Sequence, residues 1–435
     1  MKIKSLLVIV VFFSISFAII SCLDPEKEIE YGSDDTIHAF GLDTIYGVTY
    51  PFSIDQINGV IYNLDSVPHT ADTIINKIRI TRLDVMGYAL IGDTLFNMAD
   101  SLDLSKTMEQ PLKLRVVAPD GKNTKDYTLE VRIHQQDPDS LVWTQMTSPF
   151  PEGGTGLTGI KSVIVGENLM IYTNTSEVYY TPINDGHNWR NVSVNNLPGN
   201  ANLSSIQTFQ EKLYVVTTDE QVYFSSDGIT WNKDSALSDN GIETLIAGFP
   251  DAIAGIKNEN GIRKFCITAN QNFSEWETGG EVPTKFLSKD ISSTVYKTKT
   301  GNWKAFMVAD ISNESDVKPI YTIPWFSVDG KRWTAADSPI LDDNDNYGCP
   351  YLRQPSIIYY NDKFYAFGKN FDYFYISLEG LTWSRVEKKV LFPKHFEEMS
   401  NYSMVVDKNN FIWIIWGKEG EVWRGRINKL GFKII

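Results

Sequence analysis

The sequence predicts an all-β chain. A small β domain comes first, then a β-propeller of six blades, or of seven if Trp143 marks an incomplete one. Three observations carry this. A Ser-x-Asp-Gly-x-x-Trp phrase recurs through the C-terminal part at blade-sized intervals. A polar turn and a dense apolar strand precede the copies, so one unit holds four strands. Aromatic residues make up 13% of the 435 residues, a composition that favours strands.

Three copies of the phrase match almost word for word: Phe224-Ser225-Ser-Asp227-Gly228-Ile-Thr-Trp231, Phe326-Ser327-Val-Asp329-Gly330-Lys-Arg-Trp333 and Ile376-Ser377-Leu-Glu379-Gly380-Leu-Thr-Trp383. Asn184-Asp185-Gly186-His-Asn-Trp189 and Thr268 to Trp276 are weaker copies. Ahead of the phrase come Gly166-Glu-Asn-Leu169-Met-Ile-Tyr172, Gln210-Glu-Lys-Leu213-Tyr-Val-Val216 and Asn361-Asp-Lys-Phe364-Tyr-Ala-Phe367, with Lys408-Asn-Asn-Phe411-Ile-Trp-Ile414 in the last unit. A further short apolar run precedes these, as in Ser162–Val165, Ser356–Tyr359 and Ser403–Val406. The predicted blades lie near 158–198, 203–240, 243–285, 291–340, 354–393 and 402–435. Leu141 to Met146 is either part of a seventh blade or an outer strand closing the ring against the last one, which removes exposed edges.

The phrase has a local chemistry. The Asp accepts hydrogen bonds from turn amides. The Gly supplies positive φ. The Ser bonds the turn backbone, and the Trp packs as a wedge between blades. Glu379 suits its turn less well than Asp. The phrase resembles the Asp-box (BNR repeat) of sialidase-type propellers, shortened by one residue. Its carboxylates are expected to be structural.

Residues 37–135 form the first domain. Ile45–Thr49, Ile74–Ile80, Leu112–Val117 and Tyr127–Ile133 are its apolar segments, with Pro119-Asp120-Gly121 as a turn. Leu112, Leu114 and Val116, then Tyr127, Leu129, Val131 and Ile133, keep a period of two, so one face of this hairpin is buried. The phrase from Phe52 to Pro68 and the closing run from Val116 to Val131 resemble a bacterial cadherin-like (Ig-like) β-sandwich. That resemblance implies a two-sheet spacer, without the family's calcium loops. A polar linker, Gln135–Asp139, leads to the propeller, 141–435.

Residues 1–21 read as a signal peptide: Lys2 and Lys4, then an apolar run from Leu6 to Ile20 that is short for a membrane span. The run ends in Ile19-Ile20-Ser21-Cys22, which resembles a bacterial lipobox and implies lipidation of Cys22. Residues 22–36 are an acidic tether, with six acids and one lysine between Leu23 and Asp35. This acidic start also resembles the surface-export signal of Bacteroidetes-type lipoproteins. The expected address is the outer membrane, facing the cell surface or the periplasm, and the expected contact with the membrane is through lipid. The export route permits a disulfide, but Cys266 and Cys349 are expected to be separate buried thiols.

Net charge is −14, so the chain has no general attraction for nucleic acid. Five histidines and three cysteines leave little material for a metal cluster. No metal and no cofactor are expected. Sialidases place an arginine in a Tyr/Phe-Arg-Ile-Pro phrase. Tyr321-Thr322-Ile323-Pro324 has Thr there, so the carboxylate clamp of a typical sialidase is missing. Gly154-Thr-Gly156-Leu-Thr-Gly159 fits a dinucleotide pattern but lacks the strand-to-helix context. Asp342–Asn346 fails the EF-hand spacing, and His395-Phe-Glu397-Glu398 lacks a second histidine. Among Trp303, Trp325, Trp413, Trp416 and Trp423, ordinary packing competes with a place on the central face.

The whole arrangement resembles Bacteroidetes-type lipoproteins of unknown function with an N-terminal cadherin-like sandwich and a sialidase-like propeller. It implies an envelope-anchored, non-enzymatic protein that binds a glycan or an envelope protein through one propeller face. The alternative is a glycoside-acting enzyme with carboxylates dispersed over several blades. No catalytic residue is assigned.

Overall fold

The computed structural model describes residues 30–147, 157, 159–269, 275–284, 286, 291–310, 321–336, 347–399 and 401–431. The expected signal peptide, Cys22, most of the expected acidic tether, Gly154 and Gly156, and Asp342–Asn346 lie outside the described residues. The chain divides into two compact units, Met1–Asp137 and Pro138–Ile435.

The first unit holds two sheets. One is three-stranded: Ile37–Leu42, Ile78–Val85 and Ser101–Leu102. The other runs in the order Phe52–Asp55, Val60–Asn63, Thr124–Glu130, Leu112–Val117, Tyr88–Ile91 and Thr94–Leu95. Its pairs are antiparallel except Val60–Asn63 with Thr124–Glu130. Ile37, Phe40, Ile78 and Ile80 from one sheet and Ile61, Leu114, Val116, Tyr127 and Leu129 from the other build one core. The hairpin periodicity therefore reports a buried face. Its turn is fixed by Asp120, whose Oδ1 accepts the N–H of Lys122 at 2.8 Å and of Asn123 at 2.9 Å.

Two predicted strands are corrected. Ile45–Thr49 is a tight turn: Ile45 and Val48 exchange backbone hydrogen bonds around Tyr46 and Gly47, both at positive φ. Within Ile74–Ile80, the strand starts only at Ile78. Asp72–Ile75 is one helical turn that buries Ala71 and Ile75 four residues apart. There the i, i+4 spacing overrides alternation.

The second unit contains six four-stranded antiparallel sheets among its described residues. Sheet I is Lys161–Val165, Asn168–Tyr172, Glu177–Pro182 and Arg190–Ser193. Sheet II is Gln207–Phe209, Lys212–Val216, Val222–Ser225 and Asn232–Lys233. Sheet III is Ile242–Gly248, Ile253–Glu259, Ile262–Ala269 and Glu275–Glu281. Sheet IV is Ser292–Lys297, Trp303–Val308, Trp325–Ser327 and Thr334–Ala335. Sheet V is Ser356–Tyr360, Lys363–Phe367, Tyr375–Ser377 and Ser384–Arg385. Sheet VI takes Tyr402–Val406, Ile412–Trp416 and Glu421–Ile427 from the end of the unit and Leu141–Thr147 from its beginning. Leu141 pairs with Ile427 and Trp143 with Gly425, so the first strand is the outermost strand of the last sheet.

The second strand of each sheet has neighbours on both faces. Leu169–Tyr172, Leu213–Val216 and Ile412–Trp416 are buried at every position, which is why they read as unbroken apolar runs. Each pair of successive sheets shares an apolar cluster, and a further cluster joins sheet VI to sheet I through Trp413, Ile415, Leu169 and Ile171. Cys266 and Cys349 sit in different clusters, buried and unpaired.

Candidate functional site

The repeated phrase forms the turn between third and fourth strands. In sheet II, Asp227 Oδ1 accepts the N–H of Ile229 and of Thr230, each at 2.8 Å, and the Ser225 hydroxyl at 2.9 Å. Ser225 Oγ in turn accepts the Gly228 N–H at 2.9 Å. Sheet IV repeats this: Asp329 Oδ1 takes the N–H of Lys331 and Arg332, and Ser327 Oγ takes that of Gly330. In sheet V, Ser377 Oγ takes the Gly380 N–H, and Glu379 reaches the Thr382 N–H at 3.1 Å. In sheet I, Asp185 accepts the His187 N–H, and Thr181 stands in for the Ser by accepting the Gly186 N–H at 3.2 Å.

The glycines have a second role. Gly186, Gly228, Gly330 and Gly380 all have φ between 68° and 85°. A Cβ on Gly380 would lie 2.3 Å from the Phe306 ring, and one on Gly330 would lie 2.8 Å from Ile267. Gly228 meets Met170 and Gly186 meets Trp413 in the same way. Each turn thus presses a bare backbone onto the preceding sheet.

The indoles fill the same seams. Trp231 and Trp333 pack between sheets I and II and between III and IV, and Trp383 packs between IV and V. Trp189 is half-buried between VI and I. The indole N–H of Trp189, Trp333 and Trp383 each donates to the carbonyl of its turn glycine at 3.2 Å. In sheet II that carbonyl, Gly228 O, accepts the Tyr172 hydroxyl instead. Trp276 fills the seam between II and III and donates to Leu237 O at 3.0 Å. Trp143 joins the seam between V and VI and donates to Leu391 O at 2.9 Å.

These carboxylates are consumed by the fold. Burial raises the Asp227 pKa, but the hydrogen bonds from Thr230, Ile229 and Ser225 outweigh it and hold the carboxyl below its ordinary value. Asp227→Ala is expected to lower stability by about 1–2 kcal/mol and leave any ligand affinity nearly unchanged. A thermal melt paired with a binding isotherm checks both; lost affinity at an unchanged melting temperature contradicts the structural role.

A cavity of about 1010 Å³ is lined by the first strands of sheets I, II, IV, V and VI and by Gly248 of sheet III. A first strand is a sheet edge, so its unpaired backbone groups need partners. Hydroxyls supply several. Ser403 Oγ accepts the Ser162 N–H at 2.8 Å between sheets VI and I. Ser292 Oγ accepts the Ile357 N–H, and Thr294 Oγ1 the Tyr359 N–H, both at 3.1 Å between IV and V. The Ser293 hydroxyl donates to Ile246 O at 2.6 Å between III and IV. The Tyr402 hydroxyl donates to Gln354 O at 2.8 Å and meets Ser356 Oγ at 2.7 Å between V and VI.

Lys161 is the one charged residue in the described lining, which contains no Asp or Glu. Its Nζ donates to Ser204 O at 3.2 Å, bridging sheets I and II. Loss of hydration pushes its amine down to about 8. The folded pKa lies below the unfolded one, so the cost of burying the charge is present in full below pH 8. It is relieved as pH rises from about 8 towards the ordinary value of 10.5. Acylation of Lys161, followed by peptide mass spectrometry, is expected to titrate with a midpoint near 8. A midpoint above 10 contradicts it.

The remaining candidates resolve into structure. Trp325, Trp413 and Trp416 are buried in seams, Trp423 is half-buried in one, and Trp303 is 40% exposed. None of the five is in the described cavity lining, so of the two competing readings the place on the central face is not met. Thr322 Oγ1 accepts the Leu352 N–H at 2.8 Å, so the sialidase-like phrase is part of a seam. His395 Nε2 lies 3.1 Å from Glu421 Oε1. No group of three or more His, Cys, Asp or Glu suited to a metal occurs among the described residues. No described helix is long and apolar enough to cross a membrane.

Sequence reasoning missed the hydroxyls of the cavity wall. Their one signal was that the runs Ser162–Val165, Ser356–Tyr359 and Ser403–Val406 each open on a serine.

Two family profiles match the chain. Residues 24–131 match the N-terminal domain of DUF6242, a domain of unknown function, and residues 137–435 match the DUF6242 β-propeller domain. The larger unit is a β-propeller. No curated protein matches the chain. Among solved structures, a protein of unknown function from Bacteroides thetaiotaomicron is similar at 11% identity and a TM-score of 0.44, covering 91% of this chain and 100% of that one. A DUF4623 family protein from Bacteroides eggerthii is similar at 10% identity and a TM-score of 0.33, covering 90% and 98%. The α-L-arabinanase of Penicillium chrysogenum, solved with arabinobiose, is similar at 10% identity and a TM-score of 0.39, covering 66% and 97%.

Proposed function

The chain belongs to the DUF6242 family, and on that footing we propose that it is an envelope-anchored lipoprotein that binds a glycan or an envelope protein through its propeller, without turning it over. In this reading each four-stranded sheet is one blade, giving six, and the Ser-x-Asp-Gly-x-x-Trp turns are Asp-box corners. The two sheets of the first unit form a spacer sandwich. Residues 1–21 are the signal peptide, Cys22 carries the lipid in the outer membrane, and residues 22–36 are a solvated tether towards the cell surface.

One observation supports binding over hydrolysis. The central cavity of about 1010 Å³ offers hydroxyls, amides and one amine, with no carboxylate among its described lining residues. Its volume suits a ligand of a few sugar rings or a peptide segment. Glycoside hydrolysis generally needs two carboxyl groups facing each other across the bond. The near neighbour Asp310 is engaged, accepting the Gln354 N–H at 2.7 Å and the Tyr351 hydroxyl at 3.4 Å.

The test is a polysaccharide and oligosaccharide array run with detection of released reducing ends, alongside pull-down from envelope extracts. Binding without products, weakened by Lys161→Ala, is expected. Turnover would establish the glycoside-acting enzyme instead. A co-purifying protein with no glycan bound would identify the partner as protein.

A further inference from the structure

A second concave site lies away from the central cavity, and its chemistry is different. Arg424 and Arg426 stand two residues apart on the strand Glu421–Ile427 of sheet VI, so both side chains leave the same face. Both guanidinia lie over the ring of Phe411, with their central carbons 4.5 and 4.1 Å from its centroid. Each has one backbone anchor: Arg424 Nη1 donates to Ile183 O at 3.3 Å, and Arg426 Nη1 donates to Asn409 O at 3.1 Å. A guanidinium carries five N–H donors, and neither of these forms an ion pair with a carboxylate among the described residues.

The acids whose fields reach Arg424 are committed elsewhere. Asp407 accepts the N–H of Asn409, of Phe411 and of the Trp413 indole, all between 2.8 and 2.9 Å. Asp185 accepts from the His187 N–H and the Asn188 side chain. A cavity of about 430 Å³ opens beside the pair, lined also by Lys408, Asn184 and Asn410, with no Asp or Glu in its described lining. Lys408 is itself paired with Glu167. In a chain of net charge −14 this is a local reversal of sign.

The geometry points to an oxyanion site, in which the spare N–H groups of Arg424 and Arg426 receive a carboxylate or sulfate of a small ligand. Planar forks of this kind match such groups two bonds at a time. The Phe411 ring and the backbone anchors hold the forks in place before the ligand arrives, which lowers the ordering cost of binding. The site faces the seam between sheets VI and I, where Ile183 and Asn184 enter the turn of Asp185. It needs nothing from the central cavity, so it stands whatever that cavity binds.

Calorimetric titration of the full-length protein with galacturonate, inorganic sulfate and galactose tests this, at low and high salt. At least one of the two anions is expected to bind, galactose is not, and added salt weakens the binding. Whichever anion binds more tightly identifies the natural group as carboxylate or sulfate. Arg426→Lys keeps the charge and loses the fork; it is expected to weaken anion affinity by at least about tenfold with an unchanged melting temperature. Arg424→Gln, although closer to the packed seam, is expected to act in the same direction. Lys161→Ala is expected to leave the anion isotherm untouched. The site is refuted if neither anion binds, if Arg426→Lys leaves the affinity unchanged, or if only Lys161→Ala abolishes binding.

Discussion

Trp231→Ala is expected to cost about 3–5 kcal/mol of stability, the range for deleting a large buried aromatic. Trp231 has 0% exposure and shares a cluster with Val163, Met170 and Tyr172 of sheet I, Leu213 and Val215 of sheet II and Ile206 just before sheet II. Its ring meets that of Tyr172 edge-on at 6.1 Å. The cavity left behind cannot collapse easily, because both walls are second or first strands held by sheets on either side. The melting temperature is expected to fall by roughly 5–15 °C. Trp303→Ala provides the contrast, since Trp303 is 40% exposed at the start of the second strand of sheet IV. Its removal is expected to change the melting temperature by no more than about 2 °C. Equal losses from the two variants would contradict the wedge role of the seam indoles.

Cys22→Ala is expected to abolish lipid attachment and move the protein from the membrane fraction to the soluble one. Each buried methylene contributes about 0.8 kcal/mol to anchoring, and stable attachment takes more than a single acyl chain. On the proposed anchoring, that free energy depends on Cys22. Metabolic labelling with an alkyne fatty acid, followed by fractionation, reads the effect as nearly all or none. Retention of label in Cys22→Ala, or of the variant in membranes, defeats the anchor. Protease shaving of intact cells then separates the two orientations: cleavage means a surface-facing protein, and protection means a periplasmic one.

What was legible in the sequence was short-range. The turn of sheet II is written within six residues, because Ser225 and Asp227 satisfy each other and the amides of Gly228, Ile229 and Thr230. The four-strand unit was legible for the same reason: turns and apolar runs are local signals. The copy in sheet I was harder to read, since its hydroxyl comes from Thr181, five residues before Gly186 rather than three. The cavity wall was not legible. Ser162 gains its partner Ser403 from 241 residues away, and a serine at the start of an apolar run looks the same whether or not that partner arrives. The Arg424, Arg426 and Phe411 cluster was hidden differently. Alternating arginines on a strand read as a solvated face until the neighbouring turn is folded against them.

The pairing of Leu141–Thr147 with Glu421–Ile427 has a consequence for synthesis and damage. The earliest strand of this unit to leave the ribosome waits for nearly the latest one. Until then every blade is present in outline, yet the fan has two raw margins. Contacts of such long sequence separation form slowly, and open margins recruit other chains. A premature stop or a nick before Glu421 therefore does not yield a smaller wheel. It yields an unlatched one, prone to clump.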